Sequence, residues 1–209
     1  MNYIENTYVC LAAPLFLAIL CLRGSRRRAL IFLLAGMTTC LLSAYISAFA
    51  AGVLGLDLAA ASCEITPVVE ECMKLLPILF YLFVFTPETK DAIGSVLMTA
   101  AGFATFENVC FLTDYGTSDL LRLVIRGFGT GAMHVACGAV VAAGLLLMWD
   151  WIWLRAIGTF ALLCFVITFH AVFNIFVSQT GPVFWIGSAF PMTLLLGYLF
   201  FVREKLRLV

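Results

Sequence analysis

Residues 156–178 read AIGTFALLCFVITFHAVFNIFVS, a run without a single Asp, Glu, Lys or Arg. A helix that crosses a bilayer needs about 20 mainly apolar residues, and this stretch supplies them. Two polar side chains interrupt it, His170 and Asn174, four residues apart and therefore on one helical face. Working outward, six further runs have the same character. The predicted spans are 3–22, 29–54, 66–85, 92–113, 124–148, 156–178 and 183–202. The chain is 64% hydrophobic and only 11% charged, with a mean hydropathy of +1.09. That composition excludes a soluble domain. The polar connections are too short to hold a domain of their own. The expected fold is all-α, a polytopic transmembrane bundle of about seven spans forming one domain over 1–209.

Charge sets the expected orientation. Glu5 precedes the apolar core of the first span, while Arg23, Arg26, Arg27 and Arg28 follow it. A signal peptide has the reverse arrangement, so the first run reads as a retained helix with its N-terminus outside. Seven spans then put nine of the twelve cations on the cytoplasmic side, including Lys90, Arg155 and the C-terminal Arg203, Lys205 and Arg207. Arg122 and Arg126 fall near an outer boundary. They are expected to snorkel, or to belong to an amphipathic stretch over 119–126 lying along the surface.

Both histidines of the chain and three of its twelve acids lie well inside these apolar runs. A charge at the bilayer centre costs about 2.5–3.5 kcal/mol on insertion scales, so such residues face a protein interior or a wet cavity. Glu70, Glu71 and Lys74 share the third run, Glu107 and Asn108 the fourth, His134 the fifth, and His170 and Asn174 the sixth. With the orientation above, these residues fall within about 5–18 Å of one membrane face. Four helices thus bring polar groups to one leaflet. Lys74 is four residues from Glu70 and three from Glu71, and can neutralise either. Gly127, Gly131 and Gly138 form a small-residue stripe expected to let neighbouring helices approach His134. Pro67 suits a helix start, and Pro77 is expected to kink the third span just beyond Lys74.

The ordered set Glu70-Glu71-x-x-Lys74, Phe103-x-x-x-Glu107, a lone His134 and His170-x-x-x-Asn174 resembles the four motifs of PrsW-type intramembrane proteases. These are grouped with the CAAX prenyl endopeptidases and Abi proteins. The resemblance covers about 66–178, the expected catalytic core, and it implies the CAAX protease/Abi membrane fold. Lys74 and Glu107 point to the PrsW branch. It further implies an intramembrane endopeptidase in the plasma membrane of a prokaryote. Such an enzyme cuts a membrane-anchored protein, such as an anti-sigma factor, near the extracytoplasmic face. Its partners are that substrate and membrane lipid, with no nucleic acid.

Peptide hydrolysis needs an activated water and donors for the tetrahedral oxyanion. By the resemblance, Glu70 is the general base, assisted by Glu107 and adjoined by Glu71. His170 and Asn174 supply the oxyanion donors, and His134 orients or protonates. Lys74 and Asn108 support. This glutamate mechanism requires no cofactor. The alternative uses Glu70, Glu107, His134 and His170 to hold Zn²⁺ with one position open for water, although no HExxH is present. Three other classes use the same residue types. A proton-coupled transporter buries Glu, His and Lys, but no internal repeat is evident. A haem or quinone protein would leave the acids without a role. A non-enzymatic scaffold has no need of Glu70, Glu71 or Glu107. The eight cysteines include no CxxC pair and read as packing residues. Trp149, Trp151 and Trp153 read as an interfacial belt.

Overall fold

A computed structural model describes residues 4–116 and 120–206. Those residues form eight helices and no strand. They are α1 (Ile4–Cys21), α2 (Gly24–Leu54), α3 (Leu58–Glu64), α4 (Thr66–Phe85), α5 (Thr89–Tyr115), α6 (Leu120–Met148), α7 (Ile152–Val177) and α8 (Pro182–Leu206). The expected all-helical membrane bundle is therefore present. Five of the helices (α1, α2, α5, α6 and α7) are long and apolar enough to cross a membrane. α4 has the length, at 20 residues, and differs in carrying three charged residues, Glu70, Glu71 and Lys74. α8 contributes a shorter apolar stretch, Pro182–Gly197.

The long helices alternate in direction, so that α2 and α5 start at the same end of the bundle, joined there by the ion pair of Arg28 with Asp91. They pack backbone to backbone. A Cβ added at Gly36 would fall on the Thr99 carbonyl, and one at Gly102 on the Leu33 carbonyl. Glycines at such a crossing let the helices close to full contact, which is how helices associate where the solvent is itself apolar. Phe103 and Phe106, both fully buried, pack with Met37 and Cys40 beside this seam. The expected stripe on α6 behaves differently. Gly138 does abut Ala100 on α5, but nothing lies within 4 Å of a Cβ at Gly127 or Gly131. No neighbouring helix is held close at those two positions.

Two connections differ from expectation. α2 ends at Gly55, whose φ of 67° is the left-handed conformation that closes a helix. Residues 55–65, read as a plain connection, instead contain α3. The Asp57 carboxylate caps that helix by accepting from the Ala60 N–H at 2.8 Å. The stretch expected to lie along the surface is also different. Residues 120–126 are the first two turns of α6 itself, and Arg126 turns inward to Glu107; residue 119 lies outside the described residues. The guanidinium is neutralised by a carboxylate on α5, so it has no need to reach the headgroups. α4 starts with Pro67 in its first turn, and runs unbroken through Pro77 to Thr86, which takes a left-handed φ of 40°. Among the described residues all eight cysteines are free, and Trp149 packs on Phe83 with Arg155 over its ring.

Candidate active site

The α3 end of the bundle gathers the polar residues of α4, α5, α6 and α7 into one connected chain. His170 Nδ1 bonds Glu71 Oε1 at 2.8 Å. Glu71 Oε1 also takes the Lys74 ammonium at 2.6 Å, and Lys74 Nζ lies 2.8 Å from His134 Nδ1. His134 Nε2 bonds Glu107 Oε2, and Arg126 closes the chain on Glu107 Oε1 at 2.9 Å. The two imidazoles stand edge to face, with centroids 5.1 Å apart. Phe103 lies against both His134 and the Lys74 ammonium. Glu70, Glu71, Lys74, His134 and His170 are all buried, so each charge must find its partner inside the protein.

Hydrogen-bond capacity fixes which atoms remain free. A lysine ammonium has three donors and no acceptor. Facing it, His134 Nδ1 is the acceptor, and the ring proton sits on Nε2 and is donated to Glu107. His170 is oriented the other way. Its Nδ1–H is given to the Glu71 carboxylate, and Nε2 faces Glu70 Oε2 at 3.8 Å. Glu70 Oε2 is buried and has no hydrogen-bond partner. Among the carboxylate oxygens of the cluster, this one stands unpaired opposite an imidazole nitrogen.

Glu70, His134 and His170 also present one ligand atom each within 4.8 Å of one another. Two imidazoles and a carboxylate are a donor set that catalytic zinc sites use. The unpartnered Glu70 oxygen is what a cation would satisfy, and Glu71 stands behind His170 as carboxylates stand behind metal-bound histidines. These residue types therefore fit a divalent cation, which would take a His134 nitrogen from Lys74 or Glu107. Glu107, the expected fourth ligand, accepts hydrogen bonds from His134 and Arg126.

Two expected site residues lie at the edge of this cluster. Asn174 Nδ2 donates to the Ser62 carbonyl at 2.8 Å, tying α7 to α3. Asn108 Nδ2 reaches the Gly127 carbonyl at 3.4 Å, linking α5 to α6, while its Oδ1 is buried without a partner. Arg126 is the participant that sequence reasoning missed. A cation 19 residues from Glu107, next to a polar connection, is indistinguishable in sequence from one that reaches the headgroups.

A family model described as "PrsW family intramembrane metalloprotease" matches residues 24–202. No curated protein and no solved structure matches the chain significantly.

Proposed function

The chain belongs to the PrsW family of intramembrane proteases, and from that premise we propose that Glu70, His134 and His170 form its water-activating centre. The observation that carries the reading is Glu70 Oε2, a buried carboxylate oxygen with no partner, opposite His170 Nε2. A water placed there lies within hydrogen-bond reach of both groups. Glu70 takes its proton as the water oxygen attacks the scissile carbonyl carbon, and returns that proton to the departing amine nitrogen. Glu71 holds the His170 ring with Nε2 toward the reacting water. Lys74 and Glu107 hold His134 from both sides. Asn174 is a candidate oxyanion donor; in the resting protein its amide is engaged by Ser62.

The three ligand atoms suit Zn²⁺, which when bound would supply Lewis-acid polarisation and make a bound water more acidic. A metal-free glutamate mechanism is supported by a different observation. Both nitrogens of His134 are already engaged by protein groups, Nδ1 by Lys74 and Nε2 by Glu107. The substrate proposed is a single-pass membrane-anchored protein, such as an anti-sigma factor, cut near the extracytoplasmic face. The protein would lie in the plasma membrane with its N-terminus outside.

The test is cleavage of quenched single-pass peptides by purified protein, comparing wild type with Glu70→Gln and His170→Ala, with and without chelator. Cleavage lost in both variants and resistant to chelator supports the glutamate mechanism. Cleavage removed by chelator and restored by Zn²⁺ supports the metal. Equal cleavage by wild type and both variants sinks the assignment of this centre.

A further inference from the structure

Beside the histidines lies a cavity of about 490 Å³ that the charged cluster does not occupy. Ile125 of α6, Phe173 of α7, and Phe184 and Trp185 of α8 give it apolar walls, and its polar side chains include Arg126 and Thr130. Arg126 Nε and Thr130 Oγ1 are both buried and without a hydrogen-bond partner. The two residues stand four apart on α6 and share a face. Thr130 lies four residues before His134, and Phe173 three after His170. A helical turn rises about 5.4 Å, so the cavity begins one turn from each histidine, toward the α3 end. An extended peptide advances about 3.3 Å per residue. A chain cut at the Glu70–His134–His170 centre would therefore reach the cavity one or two residues from the scissile bond.

Resting on the protease reading, the geometry points to this cavity as the subsite for one large apolar side chain of the substrate, with the adjoining peptide group hydrogen-bonded to Arg126 and Thr130. Arg126 Nε–H donates to a backbone carbonyl oxygen, and the Thr130 hydroxyl accepts from a backbone N–H. A membrane helix must unwind to be cut, and the backbone groups it frees have no partners in hydrocarbon. Two unpaired protein groups beside the centre answer that need. An arginine near a membrane boundary also suits a phospholipid phosphate. Arg126 is a poor phosphate ligand, because Glu107 already neutralises it and its guanidinium lies over the Phe111 ring, 4.4 Å from the centroid. The buried, unpaired Nε–H is a single directed donor on the cavity side, matched to a neutral acceptor.

The test measures binding to full-length Glu70→Gln protein in phospholipid nanodiscs. The probe is a dye-labelled single-pass peptide with a Gly-Pro interruption, carrying Phe, Leu, Ala or Asp at each of four positions beside it. One position is expected to favour Phe or Leu over Ala and Asp by about tenfold. Ile125 on α6 and Val177 on α7 both line the cavity, so Ile125→Trp and Val177→Trp should fill it and abolish that preference. Thr130→Val, nearly isosteric, should weaken binding of every peptide about fivefold. Absence of a preferred position, or a preference unchanged in both tryptophan variants, overturns the assignment. So does loss of co-purifying phospholipid from those variants with peptide affinity unchanged. Cavity-dependent binding by a wild-type protein that cleaves none of these peptides leaves the subsite standing and sinks the protease reading. Cleavage without cavity dependence does the reverse.

Discussion

Glu71 and Lys74 stand three apart on α4 and serve different histidines, Glu71 holding His170 and Lys74 facing His134. Removing one member of a buried pair strands the other. Lys74→Met should lower stability by about 3–5 kcal/mol, and Glu71→Met/Lys74→Met should lower it by less than the single change. Thermal unfolding in detergent measures both. Glu70 has no such partner to strand, so Glu70→Gln should leave the unfolding temperature unchanged while lowering kcat by about 10²–10⁴-fold. Glu70, Glu71, Lys74, Glu107, His134 and His170 were legible in sequence because a polar group in an apolar run is conspicuous. Their pairing was not. Sequence gives the depth of a residue along its helix, but not which way the helix is turned toward its neighbours. That is why the contacts of Glu107 with Arg126 and His134 could not be foreseen.

At the scale of elements, the parallel pair α2 and α5 is the framework against which Glu107 is positioned. Gly36→Leu cannot be absorbed by a rotamer change, because the obstacle is the Thr99 backbone. It should separate the two helices and cost several-fold in folded yield, read by size-exclusion profile. Gly127→Ala, with open space around it, should change neither yield nor unfolding temperature. α3 escaped sequence reading because seven residues are too few for a helical period to register. Its one signal was Asp57 ahead of a run of alanines, a cap residue at a helix start. Asp57→Ala should cost about 1 kcal/mol, seen as faster amide exchange confined to α3. Asn174→Leu should also speed exchange in α3, by releasing the Ser62 carbonyl.

Over the whole molecule, the alternating helices put Arg28, Asp91 and Arg155 at the end opposite α3, while the buried cluster lies toward the α3 end. The span pattern and the common level of the polar residues were readable from hydropathy and charge alone, since both depend only on position along the chain. Reporter fusions after residue 56 and after residue 88 should respond from opposite sides of the membrane. A fusion pair reporting from the same side would break the alternation. One further consequence concerns synthesis. α4 leaves the ribosome before α6 and α7 exist, and it carries three charged side chains into the bilayer with neither histidine yet made. The Glu71–Lys74 contact lies within a single helix, so it forms as soon as α4 coils and cancels two of those charges before any partner arrives. The pair that later orients both imidazoles thus acts first as an insertion aid for a span that carries three charges, and a nascent chain carrying Lys74→Met should integrate α4 less often.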